Sequence, residues 1–132
     1  MTEFSRIEVM SSMTKITEFV GKLSEPENAK KIYQLGVTGI TIYNNVIGCG
    51  VQQGCGEYEI ETKDFAIQFL PKSVITIVCE TEKVDKLIEY LKLELYTGHI
   101  GDGKIFVSDI RNIIRVRTGE EGTEALKKSK ID

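Results

Sequence analysis

The sequence has few of the residues from which metal sites and nucleophilic active sites are built. Its 132 residues include one histidine, His99, three cysteines, two prolines and no tryptophan. Cys49, Cys55 and Cys79 form no CxxC pair, so a structural zinc site is not expected. His99 has no serine or cysteine partner in a recognisable motif, so we expect no catalytic residues. Reduced thiols are the favoured state of the cysteines, with Cys49 and Cys55 as the alternative of a redox-sensitive pair.

A large excess of one charge and a long apolar run are also absent. Lysine and arginine number 17 against 20 acids, and the net charge is -3, which disfavours nucleic acid as a partner. The apolar runs are shorter than the roughly 20 residues of a membrane helix, and MTEFSRIEVM carries charges where a signal peptide is apolar. We therefore expect a cytoplasmic protein with a single core.

Apolar periodicity divides the chain into strands and helices. One helix is predicted after Ser24, taken as its N-cap, and it ends at Gly36, which suits a left-handed cap. A second, amphipathic helix is predicted over about 82–95, where apolar residues recur at helical spacing. Strands are predicted over TKITEFVG from Thr14, over about 37–47, over FAIQFLPK up to a break at Pro71, over SVITIVC and KIFVSDI and, briefly, over NIIRVRTG.

The order of these elements predicts the fold class. Residues 1–12 show no sustained period and are interpreted as an N-terminal extension, ahead of a domain over 13–126 and a C-terminal tail over 127–132. Within the domain, β-α-β, a long glycine-rich loop and a further β-α-β indicate an α+β ferredoxin-like sandwich with two helices on one face of the sheet. The apolar content of the central strands requires burial of the other face, so we expect self-association.

Two segments carry groups that suit an anionic ligand. TGHIGDGK, residues 97–104, combines closely spaced glycines with Lys104, although a simple turn is the alternative and the Walker pattern is not met. In an extended segment, RVRTG would place Arg115 and Arg117 on the same face, with their Cα atoms about 6.5 to 7 Å apart. A solvated edge strand is the alternative there. Together with Lys72, these cations suit a nucleoside triphosphate.

The sequence resembles the P-II signal-transduction family. The matching segments are FLPKSVITIVCETEKVDKLIEYL and YTGHIGDGKIFVSDIRNIIRVRTGEEG, preceded by LGVTGITI and IGCGVQQG. The resemblance covers about 13–126. It implies a ferredoxin-like homotrimer with nucleotide sites between subunits, where ATP and ADP compete and Mg-ATP helps to bind 2-oxoglutarate. It also implies that the long loop, the T-loop of the family, docks onto a partner.

The resemblance further implies the site residues. Gln52 would contact magnesium and 2-oxoglutarate, and Lys72 at the base of the T-loop would contact the same effector. The nucleotide site would comprise Gly50, Val51, Gln52, Val78, Gly101, Asp102, Gly103, Lys104, Arg115 and Arg117.

The sequence also departs from the family pattern. Val51 and Gln53 replace an arginine and a lysine, and charge-assisted contacts of this kind contribute about 1.5 to 3 kcal/mol each, so effector binding is expected to be weaker. Phe65 lies near the tyrosine that many members carry for nucleotidylation, so no modification is expected there. The T-loop is rich in acids and lacks the arginine with which relatives plug an ammonium channel. We expect its partner to present a cationic surface.

These features together predict a trimeric sensor that binds ATP or ADP, with magnesium accompanying ATP. It would report energy status to an unidentified membrane transporter or metabolic enzyme through the T-loop. The alternatives are a full nitrogen sensor that binds 2-oxoglutarate with Mg-ATP, a sensor with slow ATPase activity for which no base is evident, and a structural subunit with an idle pocket.

Overall fold

A computed structural model describes residues 2–49, 69–98 and 102–128. Within these ranges the strands form one antiparallel sheet in the order β2-β3-β1-β4. This arrangement confirms the predicted α+β ferredoxin-like fold. The elements are β1 (Phe4–Ser12), α1 (Met13–Lys22), α2 (Pro26–Gln34), β2 (Thr41–Gly48), β3 (Leu70–Glu80), a 3-10 turn (Thr81–Lys83), α3 (Val84–Leu95), β4 (Lys104–Ile110) and α4 (Thr123–Leu126).

Strand β1 is an interior strand, which corrects the interpretation of residues 1–12 as an extension outside the fold. Val9 is paired with Ile75 of β3 on one side and with Ile105 of β4 on the other. Ile7 and Val9 are buried against the helices, whereas Arg6 on the opposite face is exposed. This alternation is the pattern of a strand covered on one face, but it is too short to give a sustained period in the sequence.

The predicted strand over TKITEFVG is wrong, because these residues lie in helix α1. Ile16 and Phe19 are three residues apart and both are buried, which is helical spacing. The Ser12 hydroxyl caps the helix by accepting the Lys15 amide at 3.2 Å. Ser12 ends β1 and is the N-cap of α1, so no loop separates the strand from the helix and the serine is the one local mark of the boundary.

Helix α2 begins one residue later than predicted. Its N-cap is Glu25 and Pro26 occupies its first turn, whereas the Ser24 hydroxyl donates to the carbonyl of Gly21 at 2.7 Å. The predicted left-handed cap at Gly36 is confirmed by its φ of 99°. A Cβ there would lie 2.9 Å from Cγ of Lys83, so packing also favours glycine.

Strands β2 and β3 differ from their predicted limits. β2 begins at Thr41 and contains an irregularity between Tyr43 and Val46, where Asn45 has a φ of 61°. β3 runs through Pro71, so the predicted break there is wrong. Pro71 is paired with Ile47 of β2 but lies beyond the last residue paired with β1, and a proline is tolerated where a strand has a neighbour on one side only.

The core lies between the sheet and one layer of helices, chiefly α1 and α3. Ile7, Ile75, Ile77, Leu87 and Leu91 are each at most 1% exposed there. Helix α3, with the 3-10 turn before it, confirms the predicted amphipathic helix, and β4 confirms the strand over KIFVSDI. None of the helices in the described ranges is both long enough and apolar enough to cross a membrane.

The two described cysteines differ in state. Cys79 is a free thiol, fully buried, and burial followed by the nearby Glu80 raises its pKa. Cys49 is disulfide-bonded, so the expected reduced state is wrong for this residue. Cys55 lies outside the described residues. No group of three or more histidine, cysteine or acidic side chains in the described ranges could hold a metal ion.

Candidate functional site

The RVRTG segment forms a tight turn, so the prediction of an extended strand with two parallel arginines is wrong. The amide of Arg115 donates to the Glu120 carbonyl at 2.8 Å, and the amide of Gly119 donates to the Arg115 carbonyl at 2.8 Å. A single bridge joins Ile114 to Glu121. Gly119 has a φ of 76°, which a glycine adopts without strain. Arg115 and Arg117 are therefore not side by side on one face of a strand.

The guanidinium of Arg115 is held within the chain. Its Nη1 donates to Oε1 of Glu120 at 2.5 Å, and its Nη2 donates to the carbonyls of Ala125, at 3.1 Å, and Lys127. The Thr118 hydroxyl donates to the same Glu120 oxygen at 2.8 Å. The two charged side chains are 22% and 11% exposed, so solvent screens their attraction only in part. The result is a compact C-terminal unit.

This unit borders a cavity of about 890 Å³ on the sheet face opposite the helices, here called the open-face cavity. Its strand residues alternate with the core residues, because successive side chains on a strand point to opposite faces. The described residues that line it include four cations and a single acid, so its charge suits an anionic ligand. They are Arg6, Glu8, Tyr33, Thr38, Gly39, Thr41, Tyr43, Thr76, Val78, Arg115, Ala125, Leu126, Lys127 and Lys128.

The glycine-rich loop before β4 is shaped by Asp102. Its carboxylate accepts the amides of Thr97, at 2.9 Å, and Gly98, at 3.0 Å, and also the Thr97 hydroxyl. Its carbonyl accepts the Ser11 hydroxyl at 2.9 Å. The negative charge of Asp102 is thus used to order the loop.

Gly103 fits where no other residue would. Its φ is 100°, and a Cβ would lie 1.9 Å from the carbonyl oxygen of Met10. Gly103 and Lys104 line a second, mainly apolar cavity of about 370 Å³ between α3 and β4, together with Asp102. Asp102 and Gly103 therefore lie against β1, and Lys104, which follows them, is exposed.

The predicted phosphate residues consequently fall in two places within one chain. Val78 and Arg115 line the open-face cavity, whereas Asp102, Gly103 and Lys104 line the cavity beside α3. Within residues 2–49, 69–98 and 102–128, a single chain does not bring the two sets to one cavity. Arg117 is exposed on the C-terminal turn and lines neither cavity among the described residues.

Comparison with known proteins identifies the family. The family model for nitrogen regulatory protein P-II matches residues 13–120, which is most of the chain. The chain belongs to the P-II family. Methanothermobacter thermautotrophicus nitrogen regulatory protein P-II 1 is 35% identical over 119 residues, covering 89% of this chain and all of the relative. The P-II protein of Pasteurella multocida is 38% identical over 114 residues, covering 86% and all of that protein.

Solved P-II structures share the fold. Bacillus subtilis GlnK, solved as its ATP complex, superposes with a TM-score of 0.68 at 32% identity, covering 92% of this chain and 94% of that one. Arabidopsis thaliana PII, solved with bound citrate, superposes with a TM-score of 0.68 at 27% identity, covering 98% and 94%. The P-II match begins at Met13, yet β1 precedes it and completes the sheet, so the sheet extends beyond the matched residues.

Lys72 is the one buried cation among the residues that the structure describes. It lies near the start of β3, it is 8% exposed, and its Cγ lies 3.5 Å from the position that a Cβ on Gly48 would occupy. It therefore lies close to the end of β2 and the start of β3, and its role as an effector contact at the base of the T-loop stays a prediction. The predicted site residues Gly50, Val51, Gln52 and Gly101, and Phe65, where no modification is predicted, lie outside the described residues.

Sequence reasoning missed Glu120 and Thr118. Glu120 follows Arg115 by five residues across a turn that contains Gly119, in the segment RVRTGE. An arginine and an acid on either side of a threonine-glycine turn are a signal for such a pair, because the turn brings its two ends together. The signal was hidden because the segment was interpreted as a strand.

Proposed function

We propose that this P-II protein is a cytoplasmic homotrimer that binds ATP and ADP between protomers and reports energy status to a transporter or metabolic enzyme through its T-loop. The observation that carries the proposal is the open-face cavity. Its described lining sets Arg6, Arg115, Lys127 and Lys128 against the single acid Glu8, and it includes ring and hydroxyl side chains that suit a base and a ribose.

A site between protomers follows from the separation of the phosphate residues. A loop residue such as Lys104 and a cavity residue such as Arg115 meet one polyphosphate only if they come from different chains. The sheet face opposite the helices supports this assembly. It exposes Tyr43 and Phe106 by 54% and 50%, and covering such a face by identical copies is the usual solution.

The relatives support an anionic ligand. Bacillus subtilis GlnK, at 32% identity, was solved with ATP, and Arabidopsis thaliana PII, at 27% identity, with citrate. Magnesium would be held mainly by the phosphates of ATP with Gln52 as an amide oxygen ligand, because the described residues offer no acidic cage. That donor chemistry fits a hard cation.

Calorimetry with ATP and with ADP, together with sedimentation, tests the proposal. We expect a trimer that binds both nucleotides, and weaker binding by Lys104→Ala because a cation is removed from the loop. Lys86→Ala is the matched control, since Lys86 is an exposed lysine on the outer face of α3. A monomeric protein, or one that binds neither nucleotide at millimolar concentration, contradicts the proposal.

Lys72 favours a second candidate function, the binding of 2-oxoglutarate in the presence of Mg-ATP. Lys72 is 8% exposed and lies near the start of β3, and its positive charge would attract an anionic effector bound there. Titration with 2-oxoglutarate in the presence of Mg-ATP tests this function. Binding that is equal in the wild type and in Lys72→Met would exclude Lys72 as the effector contact.

A further inference from the structure

We infer that Glu120 sets the affinity of the nucleotide site, because a polyphosphate that engages Arg115 has to compete with the Glu120 carboxylate. The inference rests on the proposed nucleotide site and adds to it a residue that does not itself line the open-face cavity among the described residues. Glu120 acts through Arg115 and is therefore a positioning residue.

The geometry shows that Glu120 occupies a donor edge of Arg115. Nη1 of Arg115 lies 2.5 Å from Oε1 of Glu120, which is a charge-assisted hydrogen bond. A phosphate oxygen is the other common partner of a guanidinium and prefers the same donor geometry. A phosphate that takes this edge must displace the carboxylate, and one that takes another edge is repelled by it across a few ångströms.

Arg115 is also held without Glu120. Nη2 donates to the carbonyls of Ala125 and Lys127, which are neutral and belong to the end of α4 and the residue after it. These bonds place the guanidinium at the wall of the open-face cavity. Removal of the charge of Glu120 therefore leaves Arg115 in position and removes only the competition and the repulsion.

The hydrogen bonds between Thr118 and residue 120 can be kept when Glu120 is replaced by a neutral residue of the same shape. The Thr118 hydroxyl donates to Oε1 of Glu120 at 2.8 Å and accepts the Glu120 amide at 3.2 Å. A glutamine has the same shape and keeps an oxygen that accepts from both Arg115 and Thr118. Glu120→Gln thus changes the charge of the site while preserving its hydrogen bonds.

The expected effect depends on the charge of the ligand. Loss of one negative charge beside Arg115 should tighten ATP binding about tenfold, or about 1.4 kcal/mol. The gain should be smaller for ADP and smallest for AMP, because the repulsion scales with the phosphate charge. It should also diminish at high salt, since part of the interaction passes through solvent. A purely structural role for Glu120 would give neither the order nor the salt dependence.

The chain provides a matched control in the adjacent residue. Glu121 is exposed, and its carboxylate accepts Nδ2 of Asn112 at 2.8 Å with no bond to Arg115. Glu121→Gln removes the same formal charge from the same turn and keeps its hydrogen-bond acceptor. We expect its nucleotide affinities to equal those of the wild type, which separates a local effect of Glu120 from a change in net charge.

Calorimetric titration of wild type, Glu120→Gln and Glu121→Gln with ATP, ADP, AMP and inorganic tripolyphosphate, at low and high salt, tests the inference. Tighter binding by Glu120→Gln alone, in the order ATP, ADP, AMP, supports it. Unchanged or weaker binding by Glu120→Gln overturns it, and so does an equal gain in both variants. Unfolding curves identify a variant that fails to fold, and in that case Glu120→Ala, which also removes the charge, must tighten ATP binding in its place.

Tripolyphosphate separates this inference from the proposed function. If no protein binds a nucleotide but Glu120→Gln binds tripolyphosphate more tightly than the wild type does, the nucleotide proposal fails and the role of Glu120 stands. If neither the nucleotides nor tripolyphosphate bind more tightly to Glu120→Gln than to the wild type, the role assigned to Glu120 is wrong.

Discussion

The glycine-rich loop before β4 and the C-terminal turn are both held by a carboxylate, but the two carboxylates differ in what they bind. Asp102 accepts backbone amides and a hydroxyl, all from its own loop, and so shapes the chain. Glu120 accepts from the guanidinium of Arg115, a group that also suits a phosphate. The Asp102 carboxylate determines a local conformation, whereas the Glu120 carboxylate binds a cation that a ligand can also bind. We therefore expect substitution of Asp102 to affect folding alone and substitution in the Arg115–Glu120 pair to affect both stability and binding.

The largest effect is expected for Gly103→Ala. A φ of 100° is strained for alanine, and the added Cβ would lie 1.9 Å from the carbonyl oxygen of Met10, so either the loop or β1 must move. We expect a loss of about 3 kcal/mol or more in the free energy of unfolding, measured by chemical denaturation.

Gly21→Ala is the control for this substitution. Gly21 lies in helix α1 and a Cβ there meets no atom within 4 Å, so the same change should stabilise the protein by about 0.5 to 1 kcal/mol. If Gly103→Ala were as stable as the wild type, the close approach to Met10 would not determine the loop.

A smaller loss is expected for Arg115→Ala. The substitution leaves the carboxylate of Glu120, only 11% exposed, without this cation and removes two bonds to the carbonyls of Ala125 and Lys127. Since the pair is partly exposed, we expect a loss of about 2 kcal/mol, below the range for a fully buried pair. Denaturation of Arg111→Ala, which removes an exposed arginine, provides the baseline.

A double-mutant cycle sharpens this prediction. Arg115→Ala combined with Glu120→Gln should be more stable than Arg115→Ala alone, because no uncompensated charge remains. Strict additivity of the two changes would mean that the ion pair contributes nothing to the fold of the turn.

The smallest of these effects is expected for Asp102→Ala. The change removes three hydrogen bonds, but the loop amides are exposed and water can replace the carboxylate. We expect a loss of about 1 kcal/mol in the free energy of unfolding. Asp109→Ala, at an exposed position of β4, is the control. A loss larger than that of Arg115→Ala would show that water does not replace the Asp102 carboxylate.

Elements with a long, regular pattern were predicted correctly from the sequence. Helix α3 has apolar residues at helical spacing over its whole length, and Gly36 stands at the end of α2 where a left-handed residue is needed. Strand β1 and helix α1 were mistaken because they join directly at Ser12. Apolar residues then recur every second residue in the strand and every 3.6 residues in the helix that follows directly. Neither pattern continues far enough to be distinguished from the other.

The candidate site was predicted in its residue types but not in its arrangement. Lys104 and Arg115 are predicted site residues because of their positive charge and the glycines near them. The structure describes the positions of both, and their contact with a nucleotide stays a prediction. Their placement on different cavities, and the pairing of Arg115 with Glu120, depend on a turn at Gly119 that the alternation of RVR concealed.

The amino-acid sequence determined the ferredoxin-like class, the glycine positions and the supply of cations, because these follow from local periodicity and residue chemistry. Only the tertiary structure decided that β1 is an interior strand, that Asp102 orders its own loop and that Glu120 holds Arg115. The reason is that such relations depend on which groups meet in space. A carboxylate selects its partner by distance and burial, and residues such as Ser11 and Asp102 come together only when β1 and β4 pair.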